Sequence, residues 1–426
     1  MEGNTFTLTT PSPKLDTADQ ILPHLNPLQE STTVTTIKLS GNTLGAPACS
    51  ALASVLSTKS TLQTANLADI FTSRLLSEIP PALSSLLTSL LPLQNLHTVD
   101  LSDNAFGLNT QAPLVDFLSQ HVPLQHLILN NNGLGPDAGT LIADALTTLA
   151  AKKEDARRKD PEGAVPHLET IVCGRNRLES GSMPAWAKCF RAHSRGVRVV
   201  KMVQNGIRQD GVALLLREGL GRCEGLEVCD LQDNTFTTVG ARALAEVVGG
   251  WGKLQELGVG DCLVGARGMV ALAEALGAGK NGGLRVLRAQ YNEIDAKGVK
   301  ALLEVVKQGK LEGLRRVEIN GNKFSEDDES VEGLRSLLEE RKENSQEVDE
   351  GEWGLDELSD LEEDSDEEDE DESDEEAEED EDDEEREGKA QKILDDADQE
   401  ENSKVSQKKD AEVDDLADQL GKTELK

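Results

Sequence analysis

One spacing of apolar and polar residues recurs between residues 34 and 324. An apolar residue is followed by others at +3 and +5, by a polar residue, usually Asn, at +8, and by an apolar residue at +10. The unit that begins at Leu124 has the full pattern: Leu124, Leu127, Leu129, Asn132 and Leu134. Ten units begin at Val34, Leu62, Leu96, Leu124, Leu168, Val197, Leu226, Leu254, Leu284 and Leu314. A repeat of this length indicates stacked structural units, each of which buries its apolar face against its neighbours.

Each unit predicts a short strand followed by a helix. In the unit that begins at Leu226, apolar and polar residues alternate up to Leu231, which is typical of a strand with one buried face. The segment 240–248 then places apolar residues at helical spacing. Most units are 28 to 30 residues long, which leaves room for a complete helix, and Phe6 and Leu8 predict a capping strand before the first unit.

The polar position of the pattern predicts a scaffold role. Its amide can bond backbone groups of the neighbouring turns, which would otherwise be buried without partners. Asn fills it in eight units, at 42, 104, 132, 176, 205, 234, 292 and 322, and is replaced by Ile70 and Cys262 in two others.

These elements predict an α/β fold: a leucine-rich repeat solenoid, a ribonuclease-inhibitor-like crescent with parallel strands inside and helices outside. We place this domain at residues 1–344, with about ten or eleven repeats and their caps, and expect a last helix over 331–338. Its 37% hydrophobic but only 3% aromatic composition suits small repeated core layers of aliphatic side chains.

The net charge of -37 is concentrated near the C-terminus, where Asp356 to Glu387 holds 25 acidic residues and one basic residue. Such a segment cannot bury apolar surface and repels itself, so 345–426 is predicted to be an acidic, mostly disordered tail. The charge also argues against a nucleic-acid partner, since phosphate binding depends on Lys and Arg.

The sequence offers no catalytic or metal-binding set of its own. It lacks HExxH, GxSxG and GxxxxGK[ST] motifs, and its six cysteines include no CxxC pair. We therefore expect reduced structural cysteines, no metal and no cofactor. We expect no signal peptide, because residues 1–10 contain no basic region followed by an apolar run. We also expect no membrane span, because the Leu-rich stretch 83–93 is interrupted by polar residues and Pro92.

The most informative polar residues stand one position before the scaffold Asn, where the repeat requires nothing. We call this set the rim row, and predict that it follows one edge of the solenoid: Gly41, Asp69, Asp103, Asn131, Arg175, Gln204, Asp233, Asp261, Tyr291 and Gly321. Variation at one aligned position on a constant frame is typical of a binding edge. A merely solvated edge is the alternative, and the residues leave both open.

The second unit is irregular, because Phe71 to Arg74 follows the replaced Asn position where other units continue with Gly. Arg74 either forms an exposed helical pair with Glu78 or is presented to an anionic partner. In the long fourth unit, Ala151 to Pro166 is rich in charges and predicts a solvated loop between repeats, with partner contact as the alternative.

At these residues the chain resembles the Ran GTPase-activating protein family in its fungal form. The segments that carry the resemblance most specifically are those outside the repeat pattern, Asp-Ile-Phe-Thr-Ser-Arg at 69–74 and Lys-Met-Val-Gln at 201–204. Segments such as 101–107, 173–178 and 230–237 also match, so that the resemblance spans about residues 35–325, and the acidic tail matches too.

The resemblance implies acceleration of GTP hydrolysis by the small GTPase Ran, in its GTP-bound form, in nucleocytoplasmic transport. It implies that Asn131 contacts the Ran glutamine that orients the attacking water, that Arg74 is needed for full activity, and that no arginine finger is inserted. Partner binding is then assigned to Asp103, Arg175, Gln204 and Asp233 of the rim row and to Asn130 beside it. GTP and magnesium would belong to the partner, and the protein would be a cytoplasmic monomer with an accessory Ran-binding protein as a second partner.

Two other functions fit the same residues less well. An acidic histone-binding or chaperone-type protein would use a crescent and an acidic tail for basic partners, but such proteins have shorter repeats. A passive inhibitor scaffold would fit the repeat class but lacks the expected abundance of cysteine.

Overall fold

The computed structural model describes residues 4–10, 14–161, 165–345 and 353–362. Fourteen strands and eleven α-helices are assigned in this part of the chain. The strands are β1 Thr5–Thr7, β2 Lys14–Leu15, β3 Thr36–Lys38, β4 Thr43–Leu44, β5 Thr64–Asn66, β6 Thr98–Asp100, β7 His126–Ile128, β8 Thr170–Val172, β9 Val199–Lys201, β10 Val228–Asp230, β11 Glu256–Gly258, β12 Val286–Arg288, β13 Arg316–Glu318 and β14 Gly354–Leu355. The helices are α1 Ala18–Glu30, α2 Ala46–Leu56, α3 Ile79–Leu90, α4 Gln111–Leu118, α5 Gly135–Lys159, α6 Met183–Ala192, α7 Gln209–Glu218, α8 Thr237–Val248, α9 Gly265–Ala278, α10 Ala296–Lys307 and α11 Glu329–Asn344.

Twelve of the strands form one parallel sheet in the order β1-β3-β5-β6-β7-β8-β9-β10-β11-β12-β13-β14. Consecutive helices pack against one another beside it, and the middle residue of each full-length repeat strand is buried between the sheet and the helices. The predicted leucine-rich repeat solenoid is confirmed, with the predicted N-terminal capping strand present as β1. A separate two-stranded sheet joins β2 to β4 at the N-terminal end.

The scaffold Asn residues form the predicted ladder. The side-chain oxygen of Asn132 accepts the backbone N–H of Asn104 at 2.9 Å, and that of Asn176 accepts the N–H of Asn132 at 3.0 Å. Where Cys262 replaces Asn, its thiol donates to the carbonyls of Leu231 and Gly260 at 3.5 and 3.3 Å. All six cysteines are free and buried, as predicted.

The predicted loop at 151–166 is wrong over most of its length, because α5 continues to Lys159. Its charges pair at helical spacing: Glu154 contacts Arg157 at 3.6 Å and Arg158 at 3.9 Å. Lys153 turns inward, is 1% exposed, and donates through Nζ to the carbonyls of Val122 at 2.6 Å and Pro166 at 2.8 Å. Burial lowers the pKa of this lysine to about 7. The charged segment before the two prolines is therefore mostly helical, and one of its lysines, Lys153, is buried.

The solenoid also extends beyond the predicted boundary at 344. Strand β14 pairs with β13, and the Asp356 carboxylate accepts the backbone N–H groups of Ile319 and Asn320 at 2.9 and 3.0 Å. In interior repeats the following unit accepts the N–H equivalent to that of Ile319, as when the Ala289 N–H donates to the Glu318 carbonyl at 2.7 Å, so for Ile319 this carboxylate takes the place of a following repeat. The predicted disorder of the acidic tail concerns residues that, apart from 345 and 353–362, lie outside the described part.

Candidate functional site: the edge where strands turn into helices

The rim row is one continuous structural feature. All ten of its residues have positive φ, from 49° at Asp69 to 80° at Gly41. This left-handed conformation is accessible to Gly and tolerated by Asn and Asp, but it is costly for most other side chains. The chain makes the same turn at this position in every unit, because each strand must leave the sheet and lead to a helix on the outer layer.

Backbone hydrogen bonds join the row from one repeat to the next. The N–H of each row residue from the second to the ninth unit donates to a carbonyl in the following unit. Around the centre, Asp103 donates to Asn130 at 2.9 Å, Asn131 to Gly174 at 2.9 Å, and Arg175 to Val203 at 2.8 Å. The side chains are therefore presented at the spacing of parallel strands, about 4.8 Å, from a fixed backbone.

Asn131 is exposed, as predicted, and its side chain is held by its neighbour in the row. Its Nδ2 donates to the Asp103 Oδ1 at 2.7 Å, across one repeat. Since the amide nitrogen is engaged by a carboxylate, the amide oxygen is the atom directed to other donors. The pair creates a fixed hydrogen-bond acceptor at the centre of the edge.

The other predicted partner-binding residues divide into two kinds. Arg175 and Gln204 are exposed in the row, and Asp233 is half-buried in it. Loss of solvation, together with the nearby Asp261 carboxylate, raises the pKa of Asp233 above its ordinary value. Asn130 is different: it is half-buried, and its Oδ1 accepts the Gly174 N–H at 2.6 Å, so that its side chain supports the next turn.

A shallow cavity of about 450 Å³ lies along the row beyond Arg175. Gln204, Asp233 and Asp261 line it, with Arg177 and Glu179 beside them. It offers polar and mainly acidic groups on an open edge. Among the described residues, no group of three or more His, Cys, Asp or Glu side chains is arranged to hold a metal ion.

Arg74 does not occupy either predicted position. Its side chain is 5% exposed, its Nη1 pairs with the Asp16 carboxylate, and its Nε donates to the Thr43 Oγ1 at 2.9 Å. Glu78 instead accepts the backbone N–H of Leu75 at 3.2 Å. The arginine therefore joins the second unit to the N-terminal segment, and its charge holds the pKa of Asp16 below the ordinary value. Sequence reasoning missed this role because Asp16 lies in a segment outside the repeat.

Replacing Arg74 with alanine is expected to loosen the N-terminal cap. The Asp16 carboxylate would lose its nearer cationic partner and keep only the 3.8 Å pair with Lys14. This carboxylate lies beside the β2–β4 pair, where the Gly45 N–H donates to the Leu15 carbonyl at 2.8 Å. Hydrogen exchange of this amide should accelerate by about tenfold or more, as loss of a charge-assisted bond implies. The stimulation of a GTPase that the resemblance implies should weaken mainly through KM.

Arg191→Ala is the control, because Arg191 forms an exposed pair with Glu218 at 3.4 Å, and it should change neither quantity. A fall in kcat for Arg74→Ala without faster exchange at Gly45 would show that Arg74 acts on the reaction itself.

Near its C-terminal end, the rim row is contacted by a later segment of the same chain. The Tyr291 hydroxyl donates to the Asp360 carboxylate at 2.9 Å, and the tyrosine ring lies over Gly321 so closely that a Cβ there would be 2.1 Å from it. The described C-terminal segment therefore contacts the row at Tyr291, in the ninth unit. This contact was not foreseen, because Asp360 belongs to the segment predicted to be tail.

The chain has similarity to one family model and to solved structures. Residues 30–53 match the family model described as Leucine Rich repeat. The match to the solved structure of the yeast Rad7 and Elc1 complex spans 73% of this chain and 75% of the matched chain, with a TM-score of 0.46 and 13% sequence identity. The match to the leucine-rich repeat-containing protein LegL7 from Legionella pneumophila spans 74% of this chain and 81% of the matched chain, with a TM-score of 0.37 and 17% sequence identity.

Similarity to curated proteins is much stronger. Ran GTPase-activating protein 1 of Saccharomyces cerevisiae is 39% identical over 345 residues, which are 80% of this chain and 83% of that protein. Ran GTPase-activating protein 2 of Caenorhabditis elegans is 37% identical over 49% of the chain and 21% of its own length. Ran GTPase-activating protein 1 of Xenopus laevis is 36% identical over 46% of the chain and 33% of its own length.

Proposed function

The chain belongs to the family of Ran GTPase-activating proteins, and from that premise we propose that it accelerates GTP hydrolysis by a Ran-type GTPase through the centre of the rim row. The GTPase would supply the nucleotide, the magnesium ion and the reacting water. The chain would supply a rigid edge, on which the exposed row residues engage the partner in its GTP-bound form.

The observation that carries the mechanism is the Asn131–Asp103 hydrogen bond of 2.7 Å. GTP hydrolysis depends on a glutamine of the GTPase that orients the attacking water. The Asn131 oxygen, fixed by Asp103, would accept the amide N–H of that glutamine and restrict its side chain to the orientation that holds the water. Fixing a mobile group in advance lowers the barrier without a new acid, base or nucleophile.

This mechanism requires no arginine finger. Arg74 is engaged with Asp16 and Thr43 and is 5% exposed, so releasing it would break the N-terminal cap. Arg175 is exposed in the unit after Asn131, and we assign it to binding of the partner surface together with Gln204 and Asp233.

We further propose that the protein acts in the cytoplasm and that it is a monomer. It has no nucleotide site of its own, and an accessory Ran-binding protein is a second partner. Among the described residues, no helix is long and apolar enough to cross a membrane. The alternative of a histone-binding protein fits poorly with a complete helix in each repeat.

A panel of GTPases tests the proposal. We expect substoichiometric amounts of the chain to accelerate GTP hydrolysis by Ran, followed as phosphate release, and to leave Ras-type GTPases at their intrinsic rates. The same chain should neither bind nor hydrolyse GTP in the absence of a GTPase. Unchanged hydrolysis by Ran would refute the proposal, whereas salt-sensitive histone binding without a GTPase effect would favour the alternative.

A further inference from the structure

Two consecutive leucines stand out on the edge of the second unit. Leu75 is 68% exposed and Leu76 is 57% exposed, the highest values among the large apolar side chains of the described residues. Leu108, 47% exposed, lies in the corresponding loop of the next unit. Isolated surface leucines are ordinary, but apolar residues grouped on one edge indicate a surface that is covered by a partner.

The segment that presents these leucines is held in place on both sides. Phe71 is buried with its ring 6.3 Å from that of Phe106, and Arg74 is engaged by Asp16 and Thr43. Beyond the leucines, the Leu75 N–H donates to the Glu78 carboxylate at 3.2 Å, while the Glu78 N–H donates to the Leu75 carbonyl at 2.9 Å. The leucines are thus exposed by a fixed turn.

The turn contains a second left-handed residue besides Asp69, which shares its positive φ with the rest of the rim row. Ser73 has a φ of 64°, and the matching position of other units also has a positive φ, for example at Gly107 and Glu179. A non-glycine residue in this region costs free energy. The packing of Phe71 and Arg74 sustains that conformation, and its visible result is the outward direction of two apolar side chains.

The location of the leucines connects them to the rim row. Asp69 belongs to the row, and its N–H donates to Ser102 at 3.0 Å, just as Asp103 donates to Asn130 in the next unit. Asn131 is therefore two strand spacings away along the sheet, roughly 10 Å. A globular partner engaged at Asn131 would extend over the turn 69–78.

We infer that Leu75 and Leu76 form an apolar anchor for the same GTPase that the rim row engages, an inference that depends on the proposed function. The carboxylates of Asp69, Asp103 and Glu78 lie in the same two units. The partner surface that fits is therefore an apolar patch bordered by Lys or Arg side chains. The anchor contributes affinity, and the catalytic contact remains with Asn131.

The test is the double variant Leu75→Ser/Leu76→Ser in the full chain, with Ran·GTP as the varied substrate. We expect KM to rise about tenfold or more while kcat stays within about twofold, because the anchor is remote from the reacting atoms. Leu141→Ser is the matched control: Leu141 is 41% exposed on α5, away from the edge, and its replacement should leave both constants unchanged. Thermal unfolding should be unchanged for both variants.

Three other results would each refute the inference, for different reasons. If the unmodified chain does not stimulate Ran, the proposed function fails and this inference fails with it. If the unmodified chain stimulates Ran and the double variant has the same KM, only the anchor is refuted. If light scattering shows a dimer that the double variant converts to a monomer, the leucines bind a second copy and the inference is overturned.

Discussion

Replacing Asn131 with alanine is expected to lower the kcat of stimulated GTP hydrolysis by about 10²- to 10³-fold, the effect of removing one preorganised polar contact from a transition state. The change removes the amide oxygen that Asp103 holds towards the partner. We propose that this oxygen holds the glutamine in the transition state, when the water is oriented for attack. Its removal should therefore lower kcat and leave KM unchanged. Single-turnover hydrolysis at saturating activator measures it directly.

The fold should tolerate this change, since Asn131 is exposed and its side chain makes one bond to an exposed carboxylate. Arg175→Ala, in the next row position, is the matched variant and should raise KM with little effect on kcat. The reverse result, a loss of about 10³-fold in kcat for Arg175→Ala and little for Asn131→Ala, would indicate an arginine finger and contradict the mechanism.

The rim row shows how far the sequence alone can predict one edge of the fold. The position before the scaffold Asn, or before the Ile70 or Cys262 that replaces it, identified ten residues, and all ten have positive φ. The prediction succeeded because the repeat pattern determines the backbone conformation at this position. That conformation determines which side chains point away from the turn. It held even for Arg175, Gln204 and Tyr291, whose residue types do not favour that conformation.

The features that the sequence did not predict are contacts outside the period. Arg74 pairs with Asp16, 58 residues earlier, and Tyr291 bonds to Asp360, 69 residues later. Both partners lie in the terminal segments that cap the solenoid, where no repeat indicates what lies opposite. The anchor had a visible signal, because Leu75-Leu76 interrupts a polar turn where the pattern requires no apolar residue. Its meaning depends on exposure, which only the structure gives.

Asn132, the neighbour of Asn131, is expected to have the opposite role. Asn132→Ala should lower the free energy of unfolding by about 3–5 kcal/mol, because it leaves buried backbone groups without partners at about 1–3 kcal/mol each. The side chain is 1% exposed, its Nδ2 donates to Leu101 at 3.1 Å and to Asn130 at 3.0 Å, and its oxygen accepts the Asn104 N–H at 2.9 Å. Urea unfolding followed by circular dichroism measures the loss.

The chain itself supplies the control for this experiment. At Cys262 a thiol occupies the ladder position and donates to two carbonyls, so Asn132→Cys should recover part of the stability that Asn132→Ala loses.

In a solenoid, stability depends on the interfaces between neighbouring units. A defect in the fourth unit should therefore also separate the unfolding of the two flanking parts into distinct transitions. A single transition within about 1 kcal/mol of the unmodified protein would mean that water replaces the amide, and that the ladder stabilises the stack less than its hydrogen bonds imply.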